Sequence, residues 1–393
     1  MRVRPRVGGS ALFALSVSLA ALVATPEQRQ TVVVLAAAEP DPTEDQLAWQ
    51  NEFALAATAI EERFPSSFSL AEIIGNDPRV AGITFKGPIP DGVDAFLKGV
   101  PAEIRLTAGA PMNADEVDQL IIETHRAISR SGSVSALASS YDRSKGRVVA
   151  IGRPTSMLDQ KSANQVEREI LAGLDPNLRK PELTLSNSFE SGFDDRNGGG
   201  RIEEVGLAAL ECTAGFNARN TINGVPFVAT AGHCDQPESH ENTNGASEVT
   251  LTFVAEHRGE WGDFEVHTSP EAEPAKFYAV GEWDLRDVTG IANPVLNQGL
   301  CRWGHKTGYA CDTVADLSLC STWEGYEHCR LVRMDHDEAD GGDSGGPWWS
   351  GTTAYGFHHG WTECGFLWQN TCDLWSRATY LDDALNARVR TTT

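Results

Sequence analysis

The chain has 393 residues, 41% of them hydrophobic and 8% aromatic, with a formal net charge of −23. Such a length exceeds one ordinary domain and such an apolar content supports packed cores, which excludes a disordered or collagen-like polymer. From Ile202 onward 29 acidic side chains stand against 11 Lys and Arg, which argues against a nucleic-acid partner; this surface suits cationic peptides or metal ions, or serves only to stay soluble.

Arg2, Arg4 and Arg6 precede an apolar stretch from Ala11 to Ala24, the order of a secretory signal. The cut falls after Ala24 or after Ala36-Ala37-Ala38, and residues 1–38 are read as the signal peptide of an extracellular product. The stretch is short for a membrane span, so the membrane is met only in transit during export.

Residues 39–200 read as a small α+β pro-domain with a linker. Thr43 to Arg63 predicts a helix with Leu47, Phe53, Leu55, Ala56, Ala59 and Ile60 on its apolar stripe. A second helix carries Val117, Leu120, Ile121 and Ile128 and starts at Asn113, with Glu116 three residues on as its capping partner. His125 is expected on the surface of that helix. Arg147 to Gly152 reads as a strand after the turn Asp142–Gly146. Nothing in this region unites nucleophile, base and carboxylate. The polar, glycine-rich run from Asp194 to Arg201 predicts an exposed link, where a processing cut belongs.

Residues 201–393 read as all-β. Runs such as Phe227–Thr230, Val249–Val254 and Thr353–Phe357 are separated by Gly, Asn and Asp turns, the pattern of a barrel or sandwich. Tyr380 to Val389 predicts a closing helix. All eight cysteines lie between Cys212 and Cys372, so in an exported chain this part is the cross-linked, durable product.

Three motifs carry chemistry. Gly341-Gly342-Asp343-Ser344-Gly345-Gly346-Pro347 surrounds a serine with glycines that let backbone N–H groups approach a substrate carbonyl. Thr230-Ala231-Gly232-His233-Cys234 ends a β run in a histidine beside a cysteine. Trp261-Gly262-Asp263-Phe264-Glu265-Val266 sets an aspartate at the start of a strand. A lone histidine or a Gly/Ser turn is ordinary; their combination is not.

Together these residues resemble the chymotrypsin-like serine peptidases, in particular the bacterial streptogrisin and alpha-lytic protease branch, over roughly Cys212 to Ala387. The resemblance implies a double β-barrel with a C-terminal helix, and a Ser-His-Asp triad: Ser344 as nucleophile, His233 as general base and acid, Asp263 as orienter, with the amides of Gly342 and Ser344 as oxyanion hole. It implies no cofactor, no metal, and peptide or protein substrates. It also implies a Cys212–Cys234 bridge, a loop closed by Cys301 and Cys311, and an ion pair between Asp343 and Arg302 that braces the site. Relatives bridge a cysteine just before the nucleophile motif to one downstream; here Cys329 is set too far back. The short intervals suggest Cys320–Cys329 and Cys364–Cys372 instead.

Ile83–Gly87 is similar to part of the relatives' pro-regions, so residues 39–200 are expected to act as intramolecular inhibitor or chaperone of a monomeric enzyme. By position Glu338 and Gly341 line one wall of the substrate pocket and His358, Gly360 and Trp361 the other. The acid favours a basic residue before the cut; His358 matches a histidine of glutamate-specific relatives; equally, Glu338 and Asp340 are a solvated or calcium-binding loop and His358 is packed under the triad. The competing class is a catalytically silent binding protein on the same scaffold, with an esterase behind it.

Overall fold

The computed structural model describes residues 44–392 apart from 176–177, 179, 190, 194–200, 205–210, 235–238, 244–246, 271–273, 282–283, 324 and 365–369. The signal segment and the link at 194–200 lie outside these described residues. Helix α1 (Glu44–Arg63) is followed by β1 (Phe68–Asn76), β2 (Arg79–Lys86), the short α2 (Val93–Phe96) and β3 (Glu103–Ala110), with the strands in one sheet of order β1-β2-β3. Leu47, Phe53 and Ile60 of α1 are buried as expected, but so are Trp49, Ala54 and Ala57, whereas Leu55 is exposed. The buried arc is wider and turned from the expected stripe because α1 meets two surfaces, β1 and the barrel described below.

Helix α3 (Ala114–Ser129) begins in the expected capping box: Asn113 Oδ1 accepts from the Glu116 N–H at 2.8 Å, and Glu116 accepts from the Asn113 N–H at 3.0 Å. After it come β4 (Val134–Asp142), β5 (Arg147–Pro154), α4 (Gln160–Gly173) and β6 (Glu182–Leu185), then the short β7 (Ser191–Phe193).

The all-β part opens with β8 (Arg201–Glu204), β9 (Glu211–Thr213), β10 (Asn217–Asn220), β11 (Pro226–Thr230), β12 (Ser239–Thr243), β13 (Ser247–Thr250), β14 (Thr252–Gly259) and β15 (Gly262–Thr268). These build a sheet of order β13-β12-β8-β9 and another running β14-β15-β11-β10, closed at its far edge by the C-terminal strand β25 (Ala387–Val389). A small hairpin, β16 (Lys276–Tyr278) with β17 (Leu285–Asp287), and β18 (Gly290–Ile291) lead onward. Next come β19 (Gly299–Gly304), β20 (Gly308–Trp323), β21 (Tyr326–Met334), β22 (Pro347–Ser350), β23 (Thr353–Cys364) and β24 (Asn370–Arg377). They pair in the order β19-β22-β23-β24-β21-β20, and β19 also pairs with β20, so the six close into a ring.

The two parts of the chain share this sheet. β4 pairs with β20, setting Leu137–Ser140 against Leu319–Thr322, and β7 pairs with β23. Trp49, Phe53 and Ile60 of α1 share one apolar cluster with Leu300, Trp348, Tyr355 and Trp375 of the ring. This packing overturns the surface placement of His125. It is fully buried between β4 and β20, with Nδ1 3.0 Å from Ser139 Oγ and Nε2 2.7 Å from Thr322 Oγ1.

The closing helix is also shorter than expected. It is a single α-helical segment, α5 (Leu381–Leu385), stopped by Asn386 in the left-handed conformation at φ 50°, after which the chain turns into β25 against β10. Apolar residues at helical spacing here satisfy a helix and then a strand, an ambiguity that short runs always carry. Four cysteine pairs stand at bonding distance: Cys212–Cys234, Cys301–Cys311, Cys320–Cys329 and Cys364–Cys372. No helix among the described residues is long and apolar enough to cross a membrane.

Candidate active site

Strand β11 ends at Thr230, and the single 3-10 turn Gly232–Cys234 that follows holds His233 at the strand end. The bridge from Cys234 to Cys212 on β9 pins that turn. Asp263 is the second residue of β15, fully buried. Ser344 sits in the turn before β22. Two glycines there have no substitute: Gly342 has φ 120° and Gly345 has φ 84°, and a Cβ on Gly345 would overlap Thr230 Oγ1 and the Thr213 carbonyl. Thr213 ties the turn down, its hydroxyl donating to the Gly342 carbonyl at 3.1 Å and its N–H to the Ser344 carbonyl at 2.5 Å.

The three side chains meet. His233 Nε2 lies 2.8 Å from Ser344 Oγ and His233 Nδ1 lies 2.5 Å from Asp263 Oδ2. Burial works to raise the Asp263 carboxyl, but the charge and hydrogen bond of His233 and the hydrogen bond of His359 outweigh it and hold the group well below the usual carboxylate range. An ionised Asp263 accepts the His233 Nδ1 proton, which leaves Nε2 with the lone pair that faces Ser344.

Next to the serine, Asp343 is surrounded by donors: Arg302 Nη1 at 3.1 Å, Thr307 Oγ1 at 2.5 Å, and the N–H groups of Lys306, Asp340 and Thr307 at 3.1, 3.1 and 3.3 Å. Arg302 and Asp343 are both fully buried, so the brace expected from the resemblance is present. Arg302 has a second carboxylate neighbour that sequence reasoning missed. Asp373, fully buried on β24, places Oδ2 3.6 Å from Arg302 Nε and accepts from the Glu338 N–H at 3.3 Å. Its partner in the β23–β24 register is Trp361, so Asp373 stands between the two expected pocket walls. Glu338 itself is exposed and Gly341 half-buried, while Gly360 is buried and Trp361 partly so.

His358 packs its ring 6.3 Å from that of Trp348, and burial first, then the Arg302 charge, push it down to about 3. His359 is the one that turns to the triad, with Nδ1 2.9 Å from Asp263 Oδ2. Both rings are buried and the β23–β24 register shifts between His358 and Gly360, so which of the two reaches Asp263 depends on strand register. His328 on β21 completes the group, its ring 4.7 Å from that of His359 and its Nε2 3.6 Å from Asp263 Oδ1.

No protein-family model matches the chain. Among curated proteins it is 29% identical over 151 residues to serine protease 2 of Streptomyces fradiae, covering 38% of this chain and 86% of that one. It is 26% identical over 181 residues to streptogrisin-A of Streptomyces griseus, covering 46% of this chain and 57% of that one. Glutamyl endopeptidase 2 of Streptomyces griseus is 26% identical over 172 residues, covering 42% of this chain and 86% of that one. A solved glutamic-acid-specific serine protease, described as using a histidine triad in substrate binding, is 23% identical with a TM-score of 0.42, covering 49% of this chain and 99% of that one. The chain is thus similar to the streptogrisins and other Streptomyces serine proteases, and it is a serine-type endopeptidase that acts on peptide or protein substrates.

Proposed function

We propose that Ser344 attacks the peptide carbonyl, that His233 takes its proton and returns it to the leaving amine, and that Asp263 orients the imidazole and stabilises its charged form. The observation that carries this reading is the continuous contact from Ser344 Oγ through the His233 ring to Asp263 Oδ2, at 2.8 and 2.5 Å. The amides of Gly342 and Ser344 serve as the oxyanion hole. No cofactor enters these steps.

Residues 1–38 are then the export signal and 39–200 a pro-domain that acts in cis, released by cleavage between 194 and 200 to give an extracellular monomer. Its inhibitory role is supported by β7: Ser191–Phe193 lies antiparallel on Gly360–Thr362, the strand next to the nucleophile turn, as an extended peptide adds to a sheet edge. Around the pocket Asp373 and Glu338 are acidic, and His358 is held neutral at neutral pH. This balance favours a cationic or neutral residue before the cut over a glutamate.

A fluorophosphonate probe applied to the secreted product tests the core reading. Labelling at Ser344, lost together with all hydrolysis in Ser344→Ala, is the expected result. A folded, processed product that takes no label is a binding protein on this scaffold instead. Cleavage rates on peptides differing only in Lys, Glu, Phe or Leu before the cut test the pocket, and a preference for Glu refutes the charge argument.

A further inference from the structure

One oxygen of the Asp263 carboxylate, Oδ2, faces two imidazole nitrogens: His233 Nδ1 at 2.5 Å and His359 Nδ1 at 2.9 Å. An ionised carboxylate only accepts hydrogen bonds, and each oxygen has room for two donors. Both ring nitrogens therefore carry protons. The other oxygen, Oδ1, looks toward His328 Nε2 at 3.6 Å and rests against Gly232, where an added Cβ would come within 2.8 Å of it.

We propose that His359 is a positioning residue for the hydrolytic reaction: by donating its Nδ1–H to the oxygen that holds His233, it sets the rotation of the Asp263 carboxylate and hence the direction of the catalytic ring. The proposal rests on the triad reading above. His359 lies on β23 directly before Gly360–Thr362, the segment that pairs with β7. The residue that steadies the triad is thus continuous with the strand expected to hold substrate.

The groups around His359 decide the sign of the pH effect. Asp263 comes from β15, His233 from the 3-10 turn, His328 from β21, and His358 is its neighbour on β23. Arg258 and His257 of β14 act on His328 and on the Asp263 side respectively. His328 is pushed down to about 3, burial being the largest cause, and stays neutral in the working range. Asp263 is the anion that His359 Nδ1 faces, at 2.9 Å. Without the His359 donor, that charge is less compensated and favours the imidazolium of His233 more strongly.

The test uses the full chain, exported and processed, with 4-nitrophenyl acetate and casein as substrates. His359→Ala is expected to lower kcat/KM by about 10- to 100-fold, the loss of one charge-assisted hydrogen bond, chiefly in kcat. Its acidic limb of kcat/KM moves to higher pH. His359→Asn, whose amide donates from a similar position, restores both the rate and the limb. Proton NMR of the unsubstituted protein with 15N-labelled histidine adds a readout that needs no variant to fold: two Nδ1-bound protons at low field. A His359→Ala enzyme with unchanged kcat and pH profile overturns the proposal. So does a His359→Asn enzyme no better than the alanine variant at equal thermal stability, or a spectrum with a single such proton. Hydrolysis retained by Ser344→Ala, in contrast, sinks the triad reading itself.

Discussion

His125 makes the contact between α3 and the barrel strand β20 sensitive to acid. It is fully buried and pushed from about 6.5 to about 3, burial being the first cause and the Arg126 charge the second. A histidine whose folded pKa is depressed contributes stability that is complete above the unfolded pKa. That stability is lost as pH falls from about 6.5 toward about 3. At pH 5 the loss amounts to about 2 kcal/mol, one pKa unit being about 1.4 kcal/mol. The assay is urea unfolding of the Ser344→Ala precursor, which cannot cut itself, at pH 7.5 and pH 5, with and without His125→Asn. Asn can still bond Ser139 and Thr322 but does not titrate in this range. His328 and His358, also held near 3, and all carboxylates are common to both proteins, so the difference between the two pH responses isolates His125. The expected result is an acid loss larger by about 2 kcal/mol in the histidine form. Parallel losses in the two proteins refute the reasoning.

Arg302→Gln leaves the buried Asp343 and Asp373 without their guanidinium, and should destabilise by about 3–5 kcal/mol. A thermal midpoint falling by less than 3 °C would argue against this brace, and Arg302→Lys should not rescue it, since one ammonium cannot serve both carboxylates and Thr307. Gly192→Pro, at the middle of β7 opposite Trp361, disfavours the pairing of β7 with β23 and is expected to raise fluorophosphonate labelling of the uncleaved precursor; unchanged labelling would mean that β7 does not guard the site. Asn386→Gly should preserve or slightly raise the thermal midpoint, and Asn386→Ala lower stability by about 1 kcal/mol, because the residue sits at φ 50°; equal midpoints for the two variants would count against the left-handed cap.

Which parts of the site were readable depended on whether the information was local. The serine and histidine motifs are local: Gly342 and Gly345 are dictated by backbone angles that only glycine adopts easily, and Cys234 stands beside the base it pins. The capping box of α3 was readable for the same reason, because both partners lie within three residues. Short sequence intervals sufficed for Cys320–Cys329 and Cys364–Cys372, and the resemblance for Cys212–Cys234 and Cys301–Cys311.

What escaped was long-range. Asp373 is an unremarkable strand residue until β24 lies beside β23 and Arg302 turns toward it. His125 looks like a surface position on an amphipathic helix until β4 joins β20 across it. The width of the buried arc on α1 likewise depends on a barrel formed more than two hundred residues later in the chain.

The sequence by itself pointed to the candidate nucleophile, base and acid, to the cross-linked all-β half and to the chemistry they imply, because motif geometry and β patterning are written in neighbouring residues. Only the tertiary structure decided that His359 and not His358 faces Asp263, and that the N-terminal part shares a sheet and an apolar cluster with the barrel. Those outcomes turn on strand register, in which a shift of one residue reverses every side chain, and on contacts between segments that periodicity along the chain cannot bring together.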